Sequence, residues 1–347
     1  MDRRSESLAF LIFCALGVFF SYFIYGLLQE TITKTRYGLR RIEFTYIKPM
    51  LFLQCLINAL FAQAALRYWR EKRSTISQKS YALCGLSYIG AMFSSNASLR
   101  FVSYPTQVIG KSIKPIPVML LSVLWAKQRY PLKKYIFVGL ITTGVVMFMY
   151  KEGTSVQSKT NFGWGELLLL VSLGLDGLTG GMQEDFRSRG HVGPYTMMRN
   201  LNLWSLVYLG LVILLTGEVM PFVAFVRRFP NVASNILLFG IVSAIGQMFI
   251  YTTIVHFGPL MCSIITTTRK FFTVLASVVI FGHALSRLQM LGAALVFTGL
   301  LADQVYGKSK KRPNALNASA ASSCNHSNLS NSSVLLDAKD TVSKKHS

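Results

Sequence analysis

Two pairs of basic residues sit where a cation is expensive to place. Lys111 and Lys114 lie in YPTQVIGKSIKPIPVM (residues 104–119), and Arg269 and Lys270 lie in GPLMCSIITTTRKFFTVLASVVIF, each pair inside a long apolar run. An α-helix rises about 1.5 Å per residue, so a span that begins at Pro105 carries the two lysines roughly 9 and 14 Å into it. By the same rise, the second pair lies about 15 Å past Pro259. The i, i+3 spacing predicts Lys111 and Lys114 on one helix face, and Pro115 and Pro117 disturb the backbone just after them. A cation near the bilayer midplane costs at least about 2.5–3.5 kcal/mol, so it normally faces a wet cavity or an anionic partner. Arg offers a planar fork and Lys a point charge on a flexible stem, a combination that suits phosphate. A di- or triphosphate matches four cations better than a single carboxylate does. The competing arrangement pairs them with acids of the membrane or lets them snorkel to an interface. Asp176 is a candidate partner, while Glu30, Glu166 and Glu184 lie near span ends. One deep acid cannot neutralise four cations.

The elements that hold these residues are membrane spans. The chain has 347 residues, 52% hydrophobic and 14% charged, and apolar runs of about 18–22 residues recur throughout. We place ten spans, at about 8–28, 46–66, 81–101, 105–127, 132–150, 164–183, 197–216, 234–256, 259–282 and 286–306. The first exceeds a signal-peptide core and lacks a small-x-small cleavage site, so it is read as a retained helix. Residues 307–347 are rich in Ser, Asn, Lys and Ala and poor in large apolar residues, the composition of a disordered tail.

An internal repeat relates the two basic pairs. Gln183-Glu184 follows Gln29-Glu30, and Pro259 follows Pro105, by the same 154 residues, an offset that maps five spans onto five. Because five is odd, the second copy enters the membrane from the other side. The expected architecture is therefore all-α, with ten transmembrane helices arranged as two inverted five-helix repeats, residues 1–150 and 151–306. Secondary transporters built this way bind substrate between the halves.

Other marked residues carry weaker expectations. Gln107 lies one turn before Lys111, and Thr266, Thr267 and Thr268 precede Arg269, so Gln107, Thr267 and Thr268 are candidate substrate contacts, with Gln247. Asn58, Asn96 and Asn202 are amides within spans, and such groups often serve helix packing instead. The glycines of GLTGG (residues 177–181) suit close helix packing. No Walker A, HExxH or GxSxG sequence occurs, and no acid/base pair or metal cluster is evident, so neither enzymatic chemistry nor a cofactor is expected. The five cysteines (Cys14, Cys55, Cys84, Cys262, Cys324) are scattered and form no CxxC.

The formal charge of +22 resides mostly in short loops and tails. That is the positive-inside pattern rather than a nucleic-acid surface. With both termini cytosolic, roughly twice as many Lys and Arg fall on the cytosolic side as on the other, although Lys34, Arg36, Arg40 and Arg41 go against the trend. The chain ends SKKHS, and Lys344-Lys345 match the dilysine signal for retrieval to the endoplasmic reticulum, a receptor-read address that requires a cytosolic tail. The same topology leaves the sequons at Asn317, Asn325, Asn328 and Asn331 unglycosylated.

YPTQVIGKSIKPIPVMLL, GELLLLVSLGLDGLTG, NILLFGIVSAIGQ and FGPLMCSIITTTRKFFT closely resemble solute carrier family 35, the nucleotide-sugar transporters, and within it subfamily B, the UDP-galactose transporter homologues of the endoplasmic reticulum. The likeness runs over about residues 8–306; the tail looks like an addition that keeps the terminal dilysine. The resemblance implies the ten-helix drug/metabolite-transporter fold and antiport of a cytosolic nucleotide or nucleotide sugar for a lumenal nucleotide. It also implies that Lys111, Lys114, Arg269 and Lys270 face the central cavity and contact phosphates. Close relatives are described as carriers of UDP-galactose and UDP-glucose and also as ATP/ADP exchangers, and the sequence does not choose between them. The implied partners are the substrate, the bilayer and the coat machinery that reads the dilysine; a homo-oligomer and cycling through the Golgi are compatible with this. An anion channel or a non-transporting scaffold of the endoplasmic reticulum is the alternative class.

Overall fold

The computed structural model describes residues 3–38, 42–71, 74–98, 101–102, 107, 110–149, 163–190, 192–280 and 287–306. Those residues are helical apart from short connections and one isolated bridge between Tyr37 and Ile42. In chain order the helices are α1 (Arg3–Lys34), α2 (Ile47–Trp69), α3 (Gln78–Ser98), α4 (Pro115–Trp125), α5 (Leu132–Met149), α6 (Trp164–Arg189), α7 (Pro194–Thr216), α8 (Val219–Arg228), α9 (Pro230–Phe257), α10 (Pro259–Ile280) and α11 (Arg287–Tyr306). Among the described residues, α1, α2, α6, α7 and α9 are long and apolar enough to cross a bilayer, and α4 and α11 contain shorter apolar stretches. Their outward faces are apolar: Phe13, Phe20 and Leu27 on α1 and Leu214 and Leu215 on α7 are all more than half exposed. Lipid, not water, is the solvent such faces fit. The chain is a multi-pass membrane protein. The boundary at residue 150 and the tail with Lys344 and Lys345 lie outside the described residues.

Span four departs from a continuous helix over 105–127. Pro115 has no N–H to give the Lys111 carbonyl, and Pro117 none to give that of Ile113. The backbone answers with tighter i→i−3 bonds, Lys114 N to Lys111 O at 3.4 Å and Ile116 N to Ile113 O at 3.0 Å. Gly110–Ser112 is helical, Ile113 and Lys114 form a turn, and the regular helix begins at Pro115. The lysines therefore sit at the break, a position where backbone irregularity at membrane depth is tolerated because it lines a cavity.

The principal helix neighbours are α1 with α9, α3 with α6, α2 with α7, α5 with α11, α4 with α6, and α2 with α9. Helix α3 also touches α7, and α10 packs against α1, α4, α5, α6 and α9. One buried apolar cluster joins α4, α5, α10 and α11 through Val118, Val145, Phe148, Ile264, Phe271 and Val296. A second joins α3, α6, α7, α9 and α10 through Tyr81, Met182, Phe186, Met197, Ile254 and Cys262. The site lies between them. The GLTGG glycines make its wall thin: a Cβ at Gly177 would meet the backbone of Pro117 at 2.8 Å, and one at Gly181 the carbonyl of Leu121 at 2.9 Å. Only glycine lets α6 come this close to α4.

The short helix α8 falls between the spans expected at 197–216 and 234–256. Its Phe225 packs on Tyr37, Phe44, Tyr46 and Phe229, and Lys48 pairs with Glu218, so the α1–α2 and α7–α9 connections form one aromatic cap. Tyr37 is buried there, donates to the carbonyl of Ile32, and has its phenol pKa raised by that burial.

Candidate functional site

Lys111, Lys114, Arg269 and Lys270 all line one cavity of about 320 Å³, together with Tyr88, Met92, Ser95, Asn96, Asp176, Thr266 and Thr267. Two broken or polar stretches, one before α4 and one in the middle of α10, bring them together from residues about 155 apart in sequence. A second cavity of about 150 Å³ shares Tyr88, Lys114, Asp176 and Thr266 with the first and is also lined by Tyr22, Gln183, Gln247 and Tyr251. The larger cavity lies within the ~300–1,000 Å³ range of small-molecule sites.

The cations are not equivalent. Lys111 Nζ donates to Asp176 Oδ2 at 2.6 Å and to Ser172 Oγ at 2.6 Å, and the Ser172 hydroxyl in turn donates to the Ala91 carbonyl at 2.6 Å. Lys114 Nζ reaches the other carboxylate oxygen, Oδ1, at 3.1 Å. The Lys111 side chain is 16% exposed and that of Lys114 37%. Arg269 lies with its guanidinium carbon 5.6 Å from the centroid of the Tyr22 ring, a cation–π arrangement. Lys270 feels the positive charge of Lys114, Arg269 and Lys111 and the negative charge of Asp176. Among the described residues, Asp176 is the acid in the cavity wall; Lys111 and Lys114 contact it, and Arg269 and Lys270 line the same cavity.

Two of the other acids weighed against these cations, Glu166 and Glu184, are engaged elsewhere. Glu166 accepts from the Gly163 N–H at 3.1 Å as the cap of α6. Glu184 is almost fully buried and paired with Arg187 at 2.7 Å. Of the weaker candidates, Thr267 and Asn96 line the larger cavity and Gln247 the smaller. Gln247 also accepts from Asn202 at 2.8 Å, within a buried amide network that links Asn58, Asn202, Gln54 and Ser243 across α2, α7 and α9. Gln107 is buried and donates to Ser95 Oγ at 3.1 Å, tying the start of span four to α3. The Thr268 hydroxyl returns to its own helix, donating to the Ile264 carbonyl at 2.9 Å. Sequence reading did not single out Ser172, Tyr22 or Tyr88 as site residues. Tyr22 and Tyr88 have the aromatic character of interfacial anchors, and only the packing turns them inward. Among the described residues no group of side chains could hold a metal ion, and Cys14, Cys55, Cys84 and Cys262 are free thiols.

A cation-lined cavity inside a helical membrane protein is the furniture of a solute carrier, and residues 10–307 match the UAA transporter family. The chain belongs to that family and is a transporter, not an enzyme. Solute carrier family 35 member B1 of Gallus gallus is 53% identical to it over 303 residues, 86% of this chain and 93% of that protein. The Danio rerio protein of the same name is 50% identical over 314 residues (89% and 95%), and the Drosophila melanogaster homolog 43% over 304 (85% and 89%). A solved crystal structure with 12% sequence identity covers 88% of this chain and all of its own with a TM-score of 0.62, a likeness of fold alone.

Proposed function

We propose that the protein is an antiporter that carries a nucleotide or nucleotide sugar, UDP-galactose, UDP-glucose or ATP, across the endoplasmic reticulum membrane in exchange for a lumenal nucleotide such as UMP or ADP. One observation carries the reading: among the described residues, Lys111, Lys114, Arg269 and Lys270 line a small-molecule-sized cavity together with the carboxylate of Asp176. A cavity lined by four cations suits a polyanionic ligand, and phosphate oxygens fit both the Arg fork and the lysine ammonium groups. Reconstitution into liposomes preloaded with UMP or ADP, with uptake compared across labelled ATP, UDP-galactose and UDP-glucose, tests it. Exchange-dependent uptake of at least one is expected; uptake equally fast into empty vesicles, or none of any substrate, refutes it. Ionic current without counter-substrate would instead favour an anion channel.

The reading includes two inverted five-helix repeats that rock about the site. The helix pairings support this. Exchanging α1–α5 with α6, α7, α9, α10 and α11 turns the α1–α9 contact into the α6–α3 contact and the α2–α9 contact into the α7–α3 contact. It returns α2–α7, α4–α10 and α5–α11 to themselves. Both termini are cytosolic on this reading, and Lys344-Lys345 address the carrier to the endoplasmic reticulum. Replacing both lysines by serine is expected to spread the protein beyond that compartment, and the four tail sequons are expected to show no shift with an N-glycosidase.

A further inference from the structure

Asp176 holds both lysines of the clamp. Its two oxygens are divided between Lys111 at 2.6 Å and Lys114 at 3.1 Å, and the residue is 8% exposed. A carboxylate that bridges two ammonium groups at these distances makes the contacts a phosphate makes with lysine. The two lysines are held unequally. Lys111 has a second anchor in Ser172, whose hydroxyl is itself spent on the Ala91 carbonyl, so it is fixed at the base of the cavity. Lys114 has the longer bond to Asp176, the more exposed side chain, and a place in the wall of both cavities. The α10 side of the cavity contributes Thr266, Thr267, Arg269 and Lys270 and no carboxylate.

We infer that Asp176 is a resident counter-anion, a positioning residue that substrate phosphate displaces from Lys114 at each loading and that reclaims Lys114 at each release. The inference rests on the clamp proposed above. An anion in the cavity engages Arg269 and Lys270 and must compete with Asp176 for Lys114. While it is bound, the fixed charge of Asp176 repels it across the shared lysine. Affinity is thereby held down and release is fast, as turnover requires of a carrier whose site otherwise holds four positive charges. A purely structural Asp176 makes the opposite prediction. If it served only to aim the lysines, its loss would let them collapse or splay, and binding would weaken.

The test uses the purified full-length protein and three probes, ADP, UMP and inorganic pyrophosphate. Dissociation constants are measured in detergent and exchange rates in preloaded proteoliposomes. For Asp176→Asn the dissociation constant of the probe that binds best is expected to fall by about tenfold, the lower end of what close charge pairs contribute, while maximal exchange slows. An unchanged constant, or weaker binding, overturns the inference. Asp176→Glu is expected to restore both parameters toward the parent. If Asp176→Asn does not fold, the Lys111→Met/Asp176→Asn pair removes the doubly anchored partners together. A resident counter-anion then predicts binding at least as tight as the parent despite one cation fewer, and a structural role predicts the loss seen in Lys111→Met alone. Lys114→Ala separates the two levels of the proposal. If the parent binds none of the probes, or Lys114→Ala binds like the parent, the clamp itself fails. If Lys114→Ala weakens binding and Asp176→Asn does not strengthen it, only the role of Asp176 fails.

Discussion

Lys114→Ala isolates the clamp from the fold. The Lys114 ammonium lies 3.1 Å from Asp176, but Asp176 keeps its shorter bond of 2.6 Å to Lys111 when Lys114 is lost, so no orphan charge is buried. The side chain is more than one-third exposed and its stem fills none of the buried clusters. The folding cost should therefore stay near that of an exposed ion pair, about 0–1 kcal/mol. The cost to substrate is larger. A phosphate charge about 4 Å from the ammonium, at an effective dielectric of about 20, gains about 4 kcal/mol before desolvation. Charge-assisted hydrogen bonds retain about 1.5–3 kcal/mol of such gains net. The Michaelis constant for exchange should thus rise roughly 10- to 100-fold, since about 1.4 kcal/mol is a factor of ten. Uptake into nucleotide-loaded proteoliposomes measures this, and thermal unfolding in detergent checks the fold. A Lys114→Ala carrier with a Michaelis constant within a factor of two of the parent would refute the assignment of Lys114 to substrate.

Three further outcomes follow from the same geometry. Arg269→Lys keeps the charge but loses the fork and the stacking on Tyr22 at 5.6 Å; affinity should fall about 5- to 30-fold, equivalent to about 1–2 kcal/mol, as measured by nucleotide binding. Gly177→Leu drives a side chain into the Pro117 backbone and should cost about 1–3 kcal/mol, read as a lower unfolding temperature, whereas Gly174→Leu, with nothing within 4 Å of its added Cβ, should be neutral. Raising ionic strength from about 0.01 M to 0.1 M shortens the screening length from about 30 to 10 Å. Substrate capture should weaken with salt accordingly, and a salt-independent dissociation constant would contradict an electrostatic clamp.

The spans carried by α1, α2, α6, α7 and α9 were legible because apolar length is a local property. Runs placed at 164–183, 197–216 and 234–256 became Trp164–Arg189, Pro194–Thr216 and Pro230–Phe257, longer at one or both ends where polar flanks continue the helix. The cation pairs were legible for a related reason, since a charge inside an apolar run is visible without knowing its partner. What the local pattern does not carry is the choice of partner. Gln107 stood on the Lys111 face, yet its amide donates to Ser95 on α3. Thr268 stood beside Arg269, yet a threonine inside a helix has the carbonyl four residues back as its nearest acceptor. Helix α8 fell below the length of a span, although Phe222, Phe225 and Phe229 repeat at helical spacing and mark its buried side. Asp176 was visible as an acid; that it serves both lysines depends on the glycines that draw α6 against α4.

Those glycines, the proline break and the single carboxylate together explain why an emptied carrier should wait for a ligand. The breaks at Pro115 and Pro117 hold Lys111 and Lys114 at the cavity wall, and the close approach of α6 gives them one shared counter-charge. Among the described residues that line the cavity, Lys111, Lys114, Arg269 and Lys270 stand beside the carboxylate of Asp176. Open to water, they are hydrated at little cost. Closed on both sides, as any alternating-access cycle requires, they would be confined in a medium where each uncompensated charge costs several kcal/mol. On the antiport reading proposed above, a bound polyphosphate removes that cost, so the loaded carrier should cross more readily than the empty one. The same reasoning ties the degree of exchange to Asp176. Neutralising it leaves the empty cavity one charge more positive, so Asp176→Asn should make exchange stricter, with still slower uptake into empty vesicles relative to loaded ones. A variant that instead leaked more freely would mean that the charge of the cavity does not set the barrier to its closure.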